Sequence, residues 1–184
     1  MVFNQIWKLS CLTLILFLMT ACSSEIMEDA MREVESTDLF DENIDGIKVG
    51  MSINDESFRM EHGNFVPHPD NEQYATQRNY DQYWNQDIMM RIDRETKEIL
   101  QVGVMGNNDT TSSAMGIKKG SPIEEVITTY GENYFTYEDK EQVINILGYV
   151  DHTNNLKLSF VHLDDKVTGI NIGYAFDRMK WKQK

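Results

Sequence analysis

Residues 116–137 read GIKKGSPIEEVITTYGENYFTY, and the order of residue types in this stretch sets the expected architecture. Ser121, Pro122 and Glu124 have the spacing of an N-cap, a proline at the first helical position and a capping box. Ile123, Val126, Ile127 and Tyr130 follow at i, i+3, i+4 and i+7, one apolar stripe along a short helix. Gly131 closes it, because a residue without Cβ adopts the left-handed cap at no steric cost. Tyr134 to Tyr137 then reads as a short strand. Val143 to Val150 is β-branched and mostly apolar, and Leu156, Leu158 and Phe160 alternate with Lys157 and Ser159 as in a half-buried strand. Asp164-Asp165 marks a tight turn into Lys166 to Phe176, where Ile170, Ile172 and Tyr174 share a face.

Upstream the same plan recurs with weaker signals. GIKVG at Gly46 matches GIKKG at Gly116, an offset of seventy residues. At that offset Ile53 meets Ile123, Phe65 meets Phe135, Gly103 meets Gly173 and Val102 meets Ile172. Ser52 with Asp55 resembles a cap, and Gly63 ends a short helix containing Ile53 and Met60. Tyr80 to Asn85, Ile88 to Asp93 and Glu98 to Met105 read as strands, with a polar loop over Val66 to Arg78. The ordered matches point to duplication. The expected fold is α+β: two tandem repeats, 45–106 and 115–176, each a short helix on a three- to four-stranded antiparallel sheet. Residues 107–114 read as a linker of turn formers. A unit of about 60 residues is marginal alone, so the two are expected to pack together or continue one sheet.

The remaining segments carry localisation signals. Lys8 is the only charged residue before Leu9 to Met19, an apolar run too short for a spanning helix of roughly 20 residues. Met19-Thr20-Ala21-Cys22 resembles the bacterial lipobox, in which small residues admit the chain to a signal peptidase and the thiol accepts diacylglycerol. Residues 1–21 therefore read as a lipoprotein signal peptide, and Cys22 as the lipidated N-terminus on the extracytoplasmic face of a cell membrane, or of an outer membrane in a Gram-negative cell. The alternatives are an ordinary signal peptide with a chance cysteine and an uncleaved anchor. Cys11 lies in the discarded segment, so the mature chain has no disulfide partner. Residues 22–44 hold eight carboxylates against Arg32 alone and read as an acidic tether. Residues 177–184, DRMKWKQK, form a basic tail expected to fray.

With 184 residues, 41 % hydrophobic, the chain has enough apolar content for a core. A formal charge of −13 repels nucleic-acid phosphates, and nucleic acid is excluded as a principal ligand.

The paired GIKxG segments, capped helices and strand meanders resemble the beta-lactamase-inhibitor-protein-like fold, which has two such units and a concave sheet. A single-unit version occurs in small lipoproteins of outer-membrane assembly. The resemblance spans about Asp45 to Phe176. It departs from the commonest form at Tyr130-Gly131-Glu132 and Glu61-His62-Gly63, which lack the proline after Leu-Gly. It implies binding of a protein partner through sheet aromatics, not lactamase inhibition.

Motifs for chemistry are sparse. His62, His68, His152 and His162 have neither a cysteine partner nor a His-Glu-x-x-His helix, so surface or strand-edge roles are favoured over zinc. No Gly-x-Ser-x-Gly elbow is present, and Glu124-Glu125 and Asp164-Asp165 sit where helix starts and turns favour acids. No catalytic residue, cofactor or metal site is assigned. The candidate partner-binding residues are Tyr80, Tyr83 and Trp84 on one strand and Tyr149 on a later one. For any single ring core filling is the default, and for at least one of the four exposure is expected. The reading is a lipid-anchored envelope module for noncovalent recognition of a protein or envelope component. An assembly scaffold is the alternative, and a cell-wall or glycan hydrolase the third.

Overall fold

The computed structural model describes residues 23–105, 109–139 and 143–181. The expected signal peptide 1–21, Cys22, residue 106 at the end of the first expected repeat, linker residues 107–108 and tail residues 182–184 lie outside them.

Among the described residues three α-helices and eight strands follow in chain order: α1 (Ser23–Glu33), α2 (Glu56–His62), β1 (Val66–Pro67), β2 (Tyr80–Trp84), β3 (Ile88–Asp93), β4 (Ile99–Val104), α3 (Ile123–Tyr130), β5 (Phe135–Asp139), β6 (Ile144–Asp151), β7 (Leu156–Leu163) and β8 (Lys166–Tyr174). All eight strands belong to one antiparallel sheet in the order β1-β2-β3-β4-β8-β7-β6-β5. This corrects the expectation of two tandem helix-on-sheet repeats. At the β4–β8 seam Gln101 pairs with Gly173, Val102 with Ile172 and Gly103 with Asn171. Val102 and Ile172, matched at the seventy-residue offset, are thus cross-strand neighbours inside one body. Phe58 of α2, Met90 of β3, Val126 of α3, Tyr149 of β6 and Phe160 of β7 share a single core. Joining the two meanders buries what would be two open strand edges and completes a core that neither half has the surface to enclose.

The two GIKxG segments are turns. Ile47 and Ile117 enter the core from them, each flanked by glycines at positive φ. The turns are stitched together: Ile44 bridges both Ile47 and Ser113, and Asp45 N–H donates to Ser112 O at 3.2 Å. The described part of the expected linker is therefore knitted to the body from Thr111 onward. Helix α3 presents its predicted stripe, with Val126 buried and Ile123, Ile127 and Tyr130 packed against the core. Its N-cap is Pro122, not Ser121, and the Ser121 hydroxyl instead accepts from Lys118 N–H at 3.4 Å. Helix α2 begins at Glu56, so Ile53 precedes it; Phe58 is its buried residue and Met60 is exposed.

From Met27 to Ile44 this segment is anchored on the body by buried side chains, which corrects the tether expectation. Met27, Met31 and Val34 recur at i, i+4 and i+7 and meet Phe135, Ile146 and Val150 on the side of the sheet opposite the main core. The strap after α1 is held through its backbone N–H groups: Thr37 N–H donates to the Val150 carbonyl at 2.8 Å, and Leu39 N–H to the Asp151 side-chain Oδ2 at 3.0 Å. Leu39 and Ile44 then plug into the main core. Burying an aliphatic side chain contributes about 2 kcal/mol. Repulsion between exposed like charges a helical turn apart costs about 0.5 kcal/mol or less. Burial wins.

The C-terminal segment is also docked, through Trp181 as far as it is described. Lys180 N–H donates to Asn79 Oδ1 at 2.8 Å, and Asn79 Nδ2 donates to Arg178 O at 3.0 Å. Arg78, buried, lies 5.1 Å from the Tyr74 ring, 5.2 Å from Tyr80 and 5.9 Å from Trp181. Stacking on a guanidinium fixes an end that its charge alone would leave in solvent.

Candidate binding face

The sheet has two unlike faces. Along β3, Ile88, Met90 and Ile92 are buried under α2 and α3, whereas Met89, Arg91 and Asp93 are half-buried. Period-two alternation with one face on the core leaves the other available to solvent or a partner. On this second face α1, together with Ala175 and Phe176, covers the β5–β6 end, and residues 178–181 lie along the β2–β3 end. Between them run two cross-strand rows, Gln82-Arg91-Gln101-Gly173-Lys157 and Trp84-Met89-Gly103-Asn171-Ser159.

Two glycines shape this floor. A Cβ on Gly103 would sit 2.3 Å from Asn171 Oδ1, and one on Gly173 would sit 3.1 Å from Gln101 Cγ. The two amide side chains therefore lie flat over the glycines, and Gln101 Nε2 donates to Asn171 Oδ1 at 3.4 Å.

The four aromatic candidates have different fates. Tyr149 is 0 % exposed in the main core, so its assignment as a partner-binding residue is corrected. Its hydroxyl donates to Gly131 O at 3.0 Å, and its ring lies 5.3 Å from Tyr130 and 6.4 Å from Tyr134. Burial, with Tyr134 and Glu132 nearby, pushes its phenol well above the usual value. Tyr83 packs on the main core from its edge. Tyr80 is on the second face but buried, with Arg78 and Arg91 each 5.2 Å from its ring. Trp84 borders a cavity. It is half-buried, tilted 4.9 Å from His68, and with Val66, Asn85, Gln86 and Met105 lines a shallow, mostly apolar hollow of about 440 Å³.

Sequence reading missed the basic residues of this face. Arg91 and Lys157 occupy half-buried strand positions, and a cation inside an alternating strand was the available signal. Desolvation, reinforced by the charge of Arg91, lowers the pKa of the Lys157 ammonium. Among the described residues no group of three His, Cys, Asp or Glu side chains is placed to hold a metal. The histidines have structural neighbours: His62 lies 5.0 Å from Phe58, and His152 stacks on Phe176 at 6.2 Å while its Nε2 bonds Val34 O at 2.9 Å. No described helix is long and apolar enough to cross a membrane.

No protein-family model matches the chain, and no curated protein or solved structure is detectably similar to it.

Proposed function

We propose that this chain is a lipid-anchored cell-envelope module that recognises a protein or envelope component through the second face of its sheet. The observation that supports the reading is the half-buried strip between α1 and the C-terminal segment, ending at the Trp84 hollow. A tryptophan at the rim of an apolar hollow is the type of side chain that anchors protein interfaces, and Val66, 55 % exposed, extends the apolar surface beside it. The lipobox at Cys22 supports anchoring, with several acyl chains inserting together and holding firmly where a single chain would not. Because α1 begins at Ser23 and packs on the sheet, an acylated Cys22 would hold the body close to the bilayer without a long spacer.

The test is crosslinking in the native envelope from a photoreactive group at Gln86, exposed at the edge of the hollow, followed by identification of the captured molecule. Trp84→Ala is expected to weaken capture at least about tenfold, ~1.4 kcal/mol. Its denaturation midpoint should stay near wild type, as for other substitutions outside the core. Cys22→Ser is expected to move the protein from the membrane to the soluble fraction. A Trp84→Ala protein that captures normally removes the hollow from the interface, and a Cys22→Ser protein that still partitions with membrane removes the anchor.

A further inference from the structure

The sheet ends at β1, which is two residues long and includes Pro67, a residue with no N–H to give. It covers only Tyr83 and Trp84 of the five-residue β2. Beyond it the edge is closed by a side chain. Asn71, at the end of a single 3₁₀ turn (Pro69–Asn71), turns its amide onto the backbone of Gln82. Asn71 Nδ2 donates to Gln82 O, and Gln82 N–H donates to Asn71 Oδ1, both at 2.8 Å. These are the two bonds that a residue of a neighbouring antiparallel strand would exchange with Gln82. His68 N–H also donates to Gln82 O at 2.8 Å, so it serves the carbonyl but not the N–H.

The strand mimic is held from behind. Arg78 Nη2 donates to Asn71 Oδ1 at 2.9 Å, and only one orientation of the amide satisfies all three partners. Arg94, paired with Asp81 at 2.7 Å, donates to Asn71 O at 3.1 Å. Arg78 is buried, stacks on Trp181 of the C-terminal segment and is bridged to it through the backbone. One guanidinium thus connects the C-terminal segment to the amide that covers Gln82.

We propose that residues 66–78 are an edge seal, in which Asn71 stands in for a strand and keeps β2 from pairing with a second copy of this chain. An uncovered strand edge is a template for another chain. The second copy is the occupant that the β2 sequence itself fits. A two-fold antiparallel pair centred on Gln82 sets Tyr80 opposite Trp84 and Asp81 opposite Tyr83. Aromatic rings then meet and no like charges oppose each other. In such a pair β1, held through two residues, is displaced. The seal goes beyond the reading of the Trp84 hollow and does not depend on it.

Backbone hydrogen exchange at Gln82 and Leu158 is followed in the full-length chain in detergent micelles, with sedimentation in density-matched detergent. At low protein concentration Asn71→Leu is expected to exchange at Gln82 at least about tenfold faster than wild type, with Leu158 of β7 unchanged. On concentration it should dimerise and recover protection at Gln82. Glu72→Gln, exposed beside Asn71, should match wild type in both readouts. Trp181→Ala, which touches the seal only through Arg78, should speed exchange at Gln82 by a smaller factor. The seal is overturned if Gln82 exchanges alike in wild type and Asn71→Leu, or if Asn71→Leu sediments as wild type does at every concentration. Should Asn71→Leu expose Leu158 as well, Trp181→Ala decides, and wild-type exchange at Gln82 in that variant overturns the seal.

Discussion

Replacing Tyr149 with alanine is expected to cost about 4 kcal/mol of folding free energy, the range measured for removing a large ring from a packed core. The ring is fully buried between Tyr130 and Tyr134, and its hydroxyl satisfies the carbonyl of Gly131 where α3 ends. Tyr149→Phe keeps the ring and leaves that carbonyl without its donor, for a smaller cost of about 1 kcal/mol. Urea denaturation separates the two, and a Tyr149→Ala protein as stable as Trp84→Ala would refute the core assignment. The same burial has an alkaline consequence. Tyr149 and Tyr130 are pushed upward mainly by desolvation, and Tyr174 is pushed up to about 12 by desolvation and its bond to Glu98. For groups whose folded pKa is raised, the stabilisation is complete below the unfolded value of 10.0 and is lost as pH rises through the folded values. Stability should therefore fall above pH 10.0, and the fall should be smaller in Tyr149→Phe.

Asp151→Ala is expected to lose about 3 kcal/mol, because one buried carboxylate ties the N-terminal strap to the β6–β7 turn. Its Oδ1 accepts from the backbone N–H groups of Thr153 and Asn154, both at 2.9 Å. Its Oδ2 accepts from Leu39 N–H at 3.0 Å and Asn154 Nδ2 at 2.8 Å. Burial raises the pKa of the carboxyl, but the hydrogen bonds from Asn154, Leu39 and Thr153 outweigh it and hold the group below 3.8. A depressed folded pKa contributes stability fully above the unfolded value and loses it as pH falls through the folded one. The gap between wild type and Asp151→Ala should be constant above pH 3.8 and narrow below it. Limited proteolysis of the variant should cut first between residues 34 and 40, where the strap loses its anchor. A gap that does not change with pH would mean the carboxylate charge is not what holds the strap.

The parts of the fold legible in the sequence are those governed by local rules. The apolar stripe of α3, the closing Gly131 and the alternation in β7 need only their own residues, and they lie within a few positions of their expected bounds. Residues 23–44 misled for a chemical reason. Carboxylates such as those of Glu28 and Asp29 mark a solvated surface, yet they say nothing about the other side of the segment, where Met27, Met31 and Val34 form a seam against β5 and β6. The aromatics of β2 misled for a geometric one. Tyr80 and Tyr83 lie on opposite faces of β2, but both faces receive cover there, one from the main core and the other from the returning C-terminal segment.

Spacing of apolar residues, glycines and prolines determined by itself where this chain forms most of its strands and its second-half helix, because backbone sterics and side-chain periodicity act within a few residues. Only tertiary structure decided that the strands of both halves form one sheet, since the β4–β8 seam joins residues seventy positions apart through backbone groups that every residue carries. It also decided which rings are core. Those outcomes depend on what distant segments bring to each face, and no local pattern encodes them.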